Sequence, residues 1–165
     1  MCIIDILLDG LFAAIAAIGF GAISDPPMRA FPRIAVLAAV GHAMRFCLMT
    51  YASFDIATAS FLASLSIGMG SLWLGAMIKC PMTVLYIPAL LPMIPGMYAY
   101  KIVLSLILFM QNIKNTALSA QYMHEMFYNI IITVSVIFML AVGATIPIFL
   151  FRNKAHSLTR NKTNP

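Results

Sequence analysis

Residues 86–101 read YIPALLPMIPGMYAYK, and no single straight helix accommodates that run. Pro88, Pro92 and Pro95 each remove a backbone N–H and crowd the turn before them. The run lies inside an apolar stretch from Met82 to Met110, long enough to cross a bilayer, for which about 20 residues suffice. Pro95 and Gly96 fall at its midpoint, where lipid offers nothing to free backbone groups. Broken helices at that depth build substrate sites in many carriers, with the positive end of a half-helix aimed at a carboxylate. One expectation is therefore two half-helices whose junction, at Pro95, Gly96, Met97 and Tyr98, forms part of a site. Gly96 is expected to take dihedrals that strain other residues, which makes Gly96→Val more damaging than Pro95→Ala. A merely kinked, structural helix is the competing reading.

Outward from this stretch, the chain is membrane-like throughout. Of 165 residues 62% are apolar and 9% charged, against about 25% charged in soluble domains, and the mean hydropathy is +0.98. So small a body cannot hide that much apolar surface, so it faces lipid. High hydrophobicity excludes disorder. Ten scattered Lys and Arg residues supply no basic face for nucleic acid. Five spans are expected, at 3–24, 34–52, 55–77, 82–110 and 125–151, in one all-α transmembrane domain over 1–151. A polar link, QNIKNTALSAQYMH, precedes the last span, and a basic tail covers 152–165. The N-terminus MCIIDILLDG lacks the basic n-region of a signal peptide and is expected to be retained as the first span. Cys2, Cys47 and Cys80 show no metal or redox spacing. No metal site and no cofactor are expected.

Orientation follows from the cations, because cytoplasmic loops hold the excess. With the N-terminus outside, Arg29, Arg33, Lys79, Arg152, Lys154, Arg160 and Lys162 lie inside and Lys114 alone outside. Five crossings, N-out and C-in, are expected. Small residues at every fourth position, Ala13, Ala17 and Gly21, then Ser60, Ser64 and Gly68, allow close helix approach. Ser60 and Ser64 carry a second reading as the lining of a polar path.

Ionisable residues inside a span are costly and demand a partner or a function. His42 and Arg45 flank the middle of the second span and share a face at i, i+3 spacing. Lys101 in the fourth span and Asp9 in the first are expected at a similar outer depth. Either Asp9 pairs with Arg45 or Lys101 and locks the bundle, or the surplus cation meets an anionic substrate or a partner subunit. Lys101 alone has the option of snorkelling outward. No HExxH, GxSxG or phosphate loop occurs, so an enzyme is not expected. His124 and Glu125 are read as marking the outer mouth of the fifth span.

The stretches AAIAAIGFGAISDPPMRAF, GHAMRFCLMT, ASFLASLSIG and IPALLPMIPGMYAY resemble the small membrane subunit of split threonine/serine exporter-type transporters, the YjjB-like proteins. The resemblance covers most of residues 13–100. It implies a five-helix half-transporter of the bacterial inner membrane, working with a larger subunit that bears the complementary half and a cytoplasmic domain. It also implies export of small organic acids, dicarboxylates such as succinate being attached to the split form, or of threonine and serine. His42 and Arg45 occupy the GHxxR positions, and Pro95, Gly96 and Tyr98 the proline-glycine region. Lys101 rests on depth alone. A membrane scaffold that stabilises a partner without transporting is the reading from another class.

Overall fold

The computed structural model describes residues 3–151, all helix and connections, with no strand among them. Six α-helices follow in order: α1 Ile3–Ile23, α2 Phe31–Tyr51, α3 Ile56–Ile78, α4 Met82–Leu90, α5 Gly96–Gln111 and α6 Thr116–Leu150. Four of them, α1, α2, α3 and α6, are each long and apolar enough to cross a membrane. The segment Met82–Met93 and α5, bent by 49° at the break between them, are long and apolar enough only when taken together, as a broken span or a re-entrant loop. The chain is a multi-pass helical membrane protein. The basic tail expected at 152–165 and Cys2 lie outside the described residues.

Local chemistry explains the ends. Pro32 sits at the start of α2, where its missing N–H costs no helical bond, so that helix begins at Phe31 rather than Ile34. Asp55 caps α3, its carboxylate accepting from the Ala57 and Thr58 N–H groups at 3.0 and 3.1 Å. The Thr58 hydroxyl and these N–H groups hold the Asp55 carboxyl below the usual carboxylate range. The largest departure from expectation is α6. It starts at Thr116, so most of the polar link is helix, and only residues 112–115 connect α5 to α6. The Asn115 side chain caps it, accepting from the Leu118 N–H at 3.3 Å, and Ala, Leu, Gln and Met extend the helix readily. Its 35 residues span roughly 52 Å, well beyond a hydrocarbon core of about 30 Å.

Close helix approach sets the core. Gly10, Ala13, Ala17 and Gly21 form the buried edge of α1, and a Cβ on Gly10 would stand 3.2 Å from the Ala39 carbonyl oxygen of α2. Between α3 and α6 the fit is tighter. A Cβ on Gly68 would lie 2.7 Å from the Ala144 oxygen, and one on Gly143 2.7 Å from the Phe61 oxygen. Ser60 and Ser64 are wholly enclosed in this packing, and Ser64 Oγ donates to the Phe61 carbonyl at 2.9 Å. Ser60 Oγ is buried without a hydrogen-bond partner. The central apolar cluster draws on α1, α2, α3, α4, the turn at Met93, and α6. Helix α5 contributes nothing to it; Ser105 is its one buried residue, and α6 is the helix it packs along.

Candidate functional site

The break in the fourth span is built in three steps. Helix α4 ends at Leu90, Leu91–Met93 form one 3-10 turn, and Ile94 is extended. Pro95, at φ −78° and ψ 67°, then makes an inverse γ-turn, closed by the Gly96 N–H donating to the Ile94 carbonyl at 2.8 Å. Helix α5 starts at once, the Tyr98 and Ala99 N–H groups donating to the Pro95 carbonyl at 3.1 and 3.2 Å. Two expectations are corrected here. Gly96 has no positive φ, and a Cβ on it would meet nothing within 4 Å. The prolines make the break, and the glycine is not strained by it. Tyr98 is not an unsatisfied donor either, since the turn geometry supplies an acceptor. Of the three opening N–H groups of α5, that of Met97 is the one without such a bond.

In an uninterrupted helix the Met93 carbonyl would accept from the Met97 N–H, four residues on. Here it accepts instead from Arg45 Nη1 at 2.8 Å. The guanidinium of α2 therefore satisfies a carbonyl that the break has stranded at the negative end of the α4 segment. One bond to Met93 uses one of five guanidinium donors, and Arg45 is only partly enclosed.

Beside it, His42 Nδ1 and Asp9 Oδ2 lie 3.1 Å apart, joining α2 to α1. His42 Nε2 is buried with no partner. The histidine side chain is 10% exposed and the aspartate 36%, so the pair opens on the Asp9 side. Asp9 is bonded to His42. The expected pairing of Asp9 with Arg45 or Lys101 is thus replaced by an aspartate–histidine pair. The packing of α1 on α2 accounts for it: Gly10, next to Asp9, lies against Ala39 of α2, three residues before His42.

Lys101 stands apart from this group. It is exposed on α5, its Nζ 5.8 Å from the centroid of the Tyr98 ring, and it lines an open groove of about 370 Å³ between α5 and α6 with Ser105, Glu125, Tyr128 and Asn129. The bend at Pro95 swings α5 away from α1 and α2, and so separates two cations that depth alone had placed together. Glu125 was read only as an interface marker. Its signal was present as a four-residue polar repeat on α6, Gln121, Glu125, Asn129 and Thr133. Gln121 Nε2 donates to Glu125 Oε1 at 3.3 Å, and Asn129 Nδ2 and Thr133 Oγ1 donate to carbonyls one turn back.

Asp9, His42, Arg45 and the Met93 carbonyl thus form one polar group where α1, α2 and the broken span meet. Residues 9–150 match a family model described as Threonine/Serine exporter, ThrE, an interval that contains all of these residues. No solved structure matches the chain.

Proposed function

The chain belongs to the threonine/serine exporter family, and from that premise we propose that it is the small subunit of a two-component secondary exporter, moving small carboxylate-bearing metabolites out of a bacterial cell across the inner membrane. Its work is transport, not catalysis. The observation that carries the reading is Arg45 held at the helix break by a single bond to the Met93 carbonyl. That bond aims a guanidinium with donors to spare at the junction where the Met97 N–H begins α5. A carboxylate is the group that an arginine fork and a helix N-terminus both favour. His42, with Asp9 on one nitrogen and nothing on the other, stands next to it as a second donor or acceptor for the substrate. Lys101, on the far side of the bend, is left out of this site.

The dicarboxylate reading, succinate-type efflux, rests on the resemblance to the split transporters and on the unused donors of Arg45 beside the helix break. The hydroxy-amino-acid reading, threonine or serine, has the family description in its favour. The complementary half of the carrier would come from a larger subunit with its own broken helix, since repeat-built carriers pair two such elements around one site. Efflux from cells lacking this chain tests the proposal. Loss of succinate efflux supports the dicarboxylate, loss of threonine efflux the amino acid, and unchanged efflux of both with loss of a partner protein overturns transport in favour of a scaffold. Purification of an active, monodisperse protein with no second kind of chain would overturn the two-component arrangement.

A further inference from the structure

We propose that the arm formed by α5 and the first half of α6 is where a second copy of this chain docks, about a two-fold axis along the membrane normal, with Lys101 of each copy facing Glu125 of the other. The proposal is independent of which substrate is moved. Three observations carry it. The first is that α5 packs along α6 and adds nothing to the central core, although both helices expose large apolar residues, among them Met97, Val103, Ile107, Phe127, Ile131 and Val134. Such a surface is to be covered by lipid or by protein. The second is that the groove between the helices carries both charges and polar groups, Lys101, Ser105, Glu125 and Asn129, where the faces around it are apolar. The third is that Lys101 and Glu125 share this groove without forming an ion pair across it. Lys101 leans over Tyr98 and Glu125 takes a long bond from Gln121.

A groove holding one cation and one anion at the same level is complementary to a surface that holds the same two in exchanged places. A second copy, inserted with the same orientation and turned by two-fold rotation about the normal, presents that surface. Levels are kept and α5 meets α6, as an isologous interface requires. Opposite charges in such an interface fix the partner, because like charges brought together cost several kcal/mol.

Two differently tagged copies expressed together and extracted in mild detergent test this by co-purification. Wild-type copies are expected to co-purify. Lys101→Glu on both copies, or Glu125→Lys on both, is expected to reduce recovery by about tenfold or more. Lys101→Glu on one copy with Glu125→Lys on the other restores opposite charges at both contacts and is expected to recover the wild-type level. So is the double reversal on both copies. Recovery by the mixed pair cannot come from misfolded variants. Absence of co-purification between wild-type copies, single reversals that behave as wild type, or a mixed pair that fails to recover would each overturn the proposal. Equally, a charge reversal that releases a different chain while self-association persists would assign the groove to that chain.

Discussion

At Arg45 the bond from Nη1 to the Met93 carbonyl, 2.8 Å, ties together two roles that the residue type alone leaves separate. A guanidinium inside a span reads as an anion site; in place, it also completes the backbone of a broken helix. Arg45→Ala leaves that carbonyl without its donor, a loss of about 1–3 kcal/mol, and is expected to lower both thermal stability in detergent and efflux. Arg45→Lys keeps a donor for Met93 but not the fork, so stability should return while efflux recovers only in part. Equal behaviour of the two variants in both measurements would count against the dual role. Asp9 supplies a second prediction. Because its carboxylate is bonded to His42 at 3.1 Å, Asp9→Asn should not rescue Arg45→Ala. Asp9→Asn and His42→Ala should instead be coupled by roughly 0.5–3 kcal/mol in a double-mutant cycle of detergent unfolding. Rescue of the arginine variant would return Asp9 to Arg45.

Among the elements, the fourth span shows how far local chemistry reaches. Three prolines in eight residues announce the break, and the observed bend of 49° follows. Which residue enforces it is a matter of geometry. Pro95 holds the γ-turn, while Gly96 has open space around it and no positive φ. Gly96→Val is therefore expected to leave insertion and fold intact, and Pro95→Ala, by allowing the two segments to join, is expected to impair efflux more. Efflux per inserted molecule measures both, and the opposite order would show that the glycine has a role in motion. The α3–α6 contact makes a different prediction. Gly143→Ala places a methyl 2.7 Å from the Phe61 oxygen, where backbone must yield, so a destabilisation of about 1–3 kcal/mol is expected. Gly19→Ala, with nothing within 4 Å, is the matched control; a thermal shift in detergent separates them.

Over the whole molecule, the cations outside the spans predict an orientation. Seven of eight would lie inside with the N-terminus out, so a reporter fused after Phe151 is expected to show a cytoplasmic C-terminus, and a periplasmic signal would invert the arrangement. Helix α5 packs along α6 and is absent from the central core, which sets the polar group at Arg45 apart from the charged groove at Lys101. One serves the interior of the carrier in our reading, the other its assembly.

The sequence by itself determined that this chain is a multi-pass helical membrane protein, where the segment from Met82 to Met110 breaks, and that small residues hold the helices close. These properties depend on hydropathy, proline chemistry and side-chain size, all local quantities that need no neighbour to be defined. It also picked out Asp9, His42 and Arg45 as groups needing partners. Who partners whom was decided only by the tertiary structure. Asp9 met His42 rather than a stronger cation because α1 packs on α2 through Gly10 and Ala39, beside both residues. Arg45 found a backbone carbonyl, an acceptor that every residue carries and no sequence pattern marks. Lys101 moved out of the site and Glu125 into a groove because a bend upstream redirected an entire helix. Depth along one helix is readable from residue counts; azimuth and the packing between helices arise only when all of them compete for the same core.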